Sequence, residues 1–274
     1  MTVAGRDAPI GVFDSGVGGL TVLKALEREL AAEDFLYLGD TARLPYGTKS
    51  AATVERYAVQ AARLLVDRGI KALVIACNTA SAVALDALRA AYDPLPVFGV
   101  VEPGADAACA VSRQGRIAVI ATESTVRGGA YQRAILARRS DARVLARPCP
   151  LLVSLAEEGW VEGPVPEQVV AAYLGDWLHD HIAPDCLLLG CTHFPILGAL
   201  LARVAGPGVT LVDSALTTAR AVRIELESAG LRCMRTRRGS RLLLASDGRE
   251  RFARVGRHFL GEPLLAAAVE LVDL

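Results

Sequence analysis

Two cysteines stand in matching surroundings. Cys77 lies in ACNTAS and Cys191 in LLGCTHFP, each after a short apolar run and before a helical pattern. The stretches LVIACNTA (73–80) and LLLGCTHF (187–194) share one order: buried strand, small residue, cysteine, then polar groups including a threonine. A thiol at a helix N-terminus feels the positive end of the helix dipole, which lowers its pKa and favours thiolate. The first-turn N–H groups of Asn78 and Thr79 lack intrahelical partners, so this turn suits a carboxylate or phosphate. For either cysteine alone, a buried structural thiol is the competing reading. Their separation, a little under half the chain, predicts two similar α/β halves. Each half presents a cysteine at the carboxyl end of a central strand, where open α/β sheets place ligands. The alternative is a chance likeness between two α/β segments.

Other segments carry weaker signals. His193 follows Cys191 by two residues and titrates near neutral pH when unperturbed, and Pro195 suits a helical first turn. DSGVGGL (14–20) follows the first strand, and its glycines allow close approach of a ligand to the backbone. It has neither P-loop nor dinucleotide-binding spacing. Asp14 suits an ammonium group; a capped tight turn is the plainer alternative. Pro45–Gly47 is a turn carrying a phenol, Tyr46. Glu157 and Glu158 precede Gly159 at a helix end, where a solvated face competes with a functional role. His179 and His181 are two apart, so on a helix their rings diverge, which argues against a metal. Cys109, Cys149, Cys186 and Cys233 are assigned to core or surface slots. Arg232, Arg235, Arg237, Arg238 and Arg241 form a solvated basic loop, with polyanion contact as the alternative. None of the lysines, Lys24, Lys49 and Lys71, falls at a strand's carboxyl end, which disfavours a pyridoxal Schiff base.

The elements that position these groups are short Val/Ile/Leu runs alternating with helical patterns. The predicted strands are Pro9–Phe13, Phe35–Leu38, Ala72–Ala76, Val97–Val101, Arg116–Ala121, Arg143–Arg147, Cys186–Gly190, Val209–Val212 and Arg241–Ala245. Most are continuous apolar runs, as in parallel strands covered on both faces. One intervening helix carries Leu20, Leu23, Leu26 and Leu30 on one face; another carries Val54, Tyr57, Ala61, Leu64 and Leu65. The alternation reads as α/β. The 274 residues suffice for two domains, and 52% apolar content excludes disorder as the main state. Thirty basic residues balance thirty acidic ones, which argues against nucleic-acid binding. No apolar run approaches the roughly 18–20 residues of a membrane span. No secretory signal is apparent at the N-terminus, so the cysteines are read as cytoplasmic thiols, not disulfides or zinc ligands.

DSGVGGLTVL, LPYGTKS, ACNTASA, VVEPGA, IATESTVRGGAYQRAI, LAEEGW, LLGCTHFP and VDSA occur in order across almost the whole chain. Together they resemble the glutamate racemases of the cofactor-independent aspartate/glutamate racemase family. The resemblance implies two α/β domains with largely parallel sheets and an active site in the cleft between them. The first would comprise residues 1–99 plus 212–274 and the second 100–211. It implies catalytic thiols at Cys77 and Cys191, with Asp14, His193 and Glu157 at auxiliary acid/base positions. It implies substrate contacts from Asp14, Ser15, Tyr46, Gly47, Asn78, Thr79, Thr192 and His193. No cofactor or metal is implied. The activity would be interconversion of L- and D-glutamate in a bacterial cytoplasm, feeding peptidoglycan synthesis, with a homodimer as the candidate assembly. Ser124, Gly128 and Ala215 depart from the commoner family pattern. The rival readings are a racemase for aspartate or a related acid, a single-thiol hydrolase or redox enzyme, and a non-catalytic binding protein.

Overall fold

Apolar residues alternate between two cores along nearly every strand. In β1 (Ile10–Asp14), Ile10 and Val12 enter one cluster and Phe13 another. In β2 (Phe35–Gly39), Phe35 and Tyr37 oppose Leu36 and Leu38. In β3 (Ala72–Ile75), Ala72 and Val74 oppose Leu73 and Ile75. Side chains on a strand alternate between faces, so a continuous apolar run means a sheet covered on both sides.

The computed structural model describes residues 4–178 and 183–274; His179 and His181 lie outside the described residues. Two sheets form. The first has the order β10-β9-β2-β1-β3-β4, with β4 at Val97–Gly99, β9 at Arg241–Ala245 and β10 at Val269–Leu271. The second has the order β6-β5-β7-β8, comprising β5 (Arg116–Ala121), β6 (Arg143–Pro148), β7 (Cys186–Gly190) and β8 (Thr210–Asp213). Every pairing among the described strands is parallel.

The order β2-β1-β3-β4 in one sheet is repeated as β6-β5-β7-β8 in the other. The echo around the cysteines is therefore a topological repeat. In each half the chain reverses its winding direction beside the first strand, and a cysteine follows the strand across that switch point. Cys77 follows β3 and Cys191 follows β7. A crevice opens at such a point between loops leaving in opposite directions.

The nine predicted strands all form, with small shifts at their ends. The expected Val97–Val101 strand stops at Gly99, because the Val100 N–H donates to the Ser81 hydroxyl at 3.0 Å and Val101 opens a helix. The tenth strand, β10, was not expected. It is a three-residue edge strand in which only Val269 belongs to the preceding apolar run LLAAAV, which Glu270 ends. The arginine-rich stretch is largely engaged in ion pairs: Arg232 with Glu227, Arg235 with Asp34, and Arg241 with Glu27.

One core cluster belongs to both halves. It joins Ile10, Val12 and Val74 of the first sheet to Ala118, Ile120, Leu187 and Leu189 of the second. Between them lie α1 (Leu20–Glu29), through Leu20, Leu23 and Leu26, and α10 (Ser214–Ser228), through Ala219, Val222 and Leu226. An apolar seam of this kind fixes how the two carboxyl edges face each other. Leu26→Ala is expected to lower the unfolding free energy by about 2–5 kcal/mol, from lost burial plus a cavity. Leu216→Ala, on the exposed face of α10, should change it by less than about 0.5 kcal/mol. Urea unfolding of the two variants measures the contrast.

Candidate active site

The carboxyl ends of both sheets enclose a cavity of about 310 Å³. Ser15, Tyr46, Gly47, Cys77, Asn78, Thr79, Glu157, Cys191, Thr192 and His193 all line it. Asp14, the remaining expected residue, is wholly buried and close enough to act electrostatically on Cys77.

Cys77 is the N-cap of α3 (Asn78–Tyr92): its sulfur accepts from the Ala80 N–H at 3.5 Å and bonds the Ser15 hydroxyl at 3.4 Å. Burial nevertheless pushes this thiol up to about 12, helped by the Asp14 charge and opposed by the two hydrogen bonds. The helix-dipole expectation of a lowered pKa is thus overturned, because desolvation of a buried anion outweighs one helix terminus. Cys191, unlike Cys77, does not stand at an α-helix start. A 3₁₀ turn, Phe194–Leu197, follows it, and the next α-helix, α9 (Gly198–Ala205), begins only after that turn.

The partner of Cys191 is His193, whose Nδ1 lies 3.8 Å from the sulfur. Its Nε2 meets Glu157 Oε1 at 3.2 Å, and Arg251 Nη2 donates to Glu157 Oε2 at 2.7 Å. Burial opposes the imidazolium, but the bonds to Cys191 and Glu157 prevail and raise His193 to about 10. It is held protonated, not poised near neutrality. Burial likewise opposes ionised Glu157, but His193 and Arg251 prevail and hold it at about 2. Of the two adjacent glutamates, Glu157 enters the cavity while Glu158 is exposed.

Two of the three glycines of DSGVGGL, Gly18 and Gly19, admit protein atoms. A Cβ on Gly18 would lie 2.4 Å from both Thr192 Oγ1 and His193 Nδ1, and one on Gly19 would lie 2.5 Å from Asp14 Cβ. The loop therefore presses against the other half, where the Thr21 hydroxyl donates to the Thr192 carbonyl at 2.9 Å. Gly47 does the same on the opposite wall, its Cβ position being 2.7 Å from Thr122 Cβ. Tyr46 is buried, and its hydroxyl donates to Asp40. Among the departures from the family pattern, the Ser124 N–H donates to the Gly47 carbonyl at 2.9 Å, and Gly128 stands in open space.

Two buried polar atoms lack hydrogen-bond partners among the described residues: Asn78 Nδ2, a donor on a residue that lines the cavity, and Asp14 Oδ1, an acceptor on a residue that does not line it. Asn78 is oriented by Tyr131, whose hydroxyl donates to Oδ1 at 2.5 Å. Unmet buried donors cost free energy, so Asn78 Nδ2 is suited to a ligand carboxylate. Sequence reasoning missed Tyr131, Thr122 and Arg251. Thr122 follows β5 as Ser15 follows β1, so the repeat held a signal for it. Its hydroxyl lies 2.9 Å from that of Thr79. Tyr131 and Arg251 have no local signal.

The Glu157–His193 pair makes stability pH-dependent in a defined window. Glu157, lowered from its ordinary 4.5, contributes fully above that value and loses its contribution as pH falls toward about 2. His193, raised from 6.5, contributes fully below that value and loses it as pH rises toward about 10. The stability difference between the unmodified protein and Glu157→Gln should therefore peak between about pH 5 and 6 and shrink on both sides. Thermal melts across pH read this directly.

A sequence model of the family described as Asp/Glu/Hydantoin racemase matches residues 10–222. The glutamate racemase of Geobacter metallireducens is 49% identical over 255 residues, 93% of each chain. The crystal structure of glutamate racemase from Thermus thermophilus in complex with β-chloro-D-alanine superposes with a TM-score of 0.87 at 45% identity, covering 98% of each chain. That of Francisella tularensis glutamate racemase in complex with D-glutamate gives 0.89 at 37% identity, again over 98% of each chain. The chain belongs to the Asp/Glu/Hydantoin racemase family, and its full-length relatives are glutamate racemases.

Proposed function

We propose that this protein interconverts L-glutamate and D-glutamate by two-thiol proton transfer without a cofactor, supplying D-glutamate for peptidoglycan. The observation that carries the reading is the placement of Cys77 and Cys191 on one cavity from topologically equivalent positions of two halves. Racemisation removes a proton from one face of the α-carbon and delivers another to the opposite face. A single base tends to return the proton it took; two facing groups, one acid and one base, exchange roles between enantiomers. Cys77 serves D-glutamate and Cys191 serves L-glutamate in this scheme.

The two sides work differently. Cys77, buried beside Asp14, rests as a thiol and is a ready donor. Cys191 faces protonated His193, a charge-assisted partner for its sulfur. The α-hydrogen is far less acidic than a thiol, so preorganised donors in a water-poor cleft must stabilise the developing carbanion. Asn78 Nδ2 and the first-turn N–H groups at Asn78 and Thr79 supply donors for carboxylate, with Thr192 across the cleft. Asp14 Oδ1 suits the ammonium.

In this reading the two domains are residues 1–99 plus 212–274 and residues 100–211, with the second boundary moved to the end of β8 at Asp213, since a cut at 212 would divide that strand. Six free cysteines support a reducing, cytoplasmic setting. Among the described residues no helix is long and apolar enough to cross a membrane.

Each enantiomer of glutamate, incubated in deuterated water without added pyridoxal phosphate or metal, should racemise with incorporation of deuterium. Cys77→Ser and Cys191→Ser should each lose at least about 100-fold in rate. Near-normal racemisation in both single variants would sink the two-thiol scheme. Faster turnover of D- or L-aspartate would reassign the substrate.

A further inference from the structure

The C-terminal helix α11 (Arg249–Leu260) reaches the acid–base group of the other half at three points. Arg251 donates to Glu157 Oε2 at 2.7 Å. Phe259 abuts the His193 ring edge-on, at 5.1 Å between centroids. His258 packs so closely on Gly159 that a Cβ there would lie 2.9 Å from its ring. Gly159 also has φ +72, so the turn after Glu157 requires glycine both for its backbone and for this approach.

Glu157 is the last residue of α7 (Pro150–Glu157), where the helix dipole disfavours a carboxylate. One oxygen serves His193, and the other needs a cation to keep the side chain from turning to solvent. Arg251 supplies it, although its own side chain is 45% exposed. Exposed ion pairs contribute little to stability, so the contact matters chiefly for geometry. Resting on the two-thiol reading, we propose that Arg251 is a positioning residue for proton transfer at Cys191. Through Glu157 it holds His193 against the sulfur, so the helix of one half completes the machinery of the other.

The test is a cycle of Arg251→Met, Glu157→Gln and the double variant, with Arg251→Lys alongside. The enantiomers have equal free energy, so kcat/KM must fall equally in both directions; kcat and KM are therefore read separately. Arg251→Met should lower kcat by up to about 100-fold, as small misplacements of reacting groups do, with KM little changed. Arg251→Lys should restore part of the loss, since it keeps the charge but not the fork. The thermal midpoint should move by no more than about 4 °C. The double variant should be little worse than Glu157→Gln alone, because both act on one chain of contacts. An unchanged kcat in Arg251→Met with an impaired Glu157→Gln, or losses that multiply in the double variant, would overturn this inference alone. Full activity of Glu157→Gln would overturn the assignment of Glu157 in the site, and this inference with it.

Discussion

A sulfur taken out of water loses its anionic form first, and the whole site is arranged around that cost. Both cysteines are buried at the mouths of parallel sheets, and the groups touching the two sulfurs differ. At Cys77, burial and the nearby Asp14 carboxylate outweigh a hydroxyl and one backbone N–H, so the neutral form prevails. Cys191 has an imidazole anchored by Glu157, so a positive partner prevails. One repeated topology thus places two identical atoms, while non-repeated neighbours make them chemically unlike.

Desolvation on this scale requires that the two halves close on one another. The apolar seam through α1 and α10 provides the large-scale contact, since Leu23, Leu26, Val222 and Leu226 share one cluster with residues of both sheets. The loops provide the fine contact. Gly18 and Gly47 stand where a single methyl group would collide with the facing half, and Gly19 where one would collide with Asp14 beside it. The loop that carries Gly47 lines the cavity and also packs against the other half. Burial strengthens every electrostatic interaction inside, because the local dielectric falls.

Short apolar runs and 3.6-residue patterns are local signals, and they carried all nine expected strands. β10 escaped because the apolar run LLAAAV ends at its first residue, Val269, and exposed Glu270 sits at the centre of this three-residue edge strand. The cysteine echo was legible because a strand-end position is a property of a few adjacent residues. Thr122 was within reach of the same logic, being the counterpart of Ser15. The choice between Glu157 and Glu158 was not, since neighbours on a helix end differ only in direction, and direction is set by what packs there.

By itself, then, the sequence determined the α/β class, the repeated strand–cysteine units and the set of residues that gather at the sheet mouths. Tertiary structure decided the chemistry of those residues. The pKa of Cys77, the fixed charge on His193 and the anchoring by Arg251 are sums over groups brought from distant parts of the chain. Burial and Coulomb interactions depend on distance in space, and no local pattern of residue types encodes that distance.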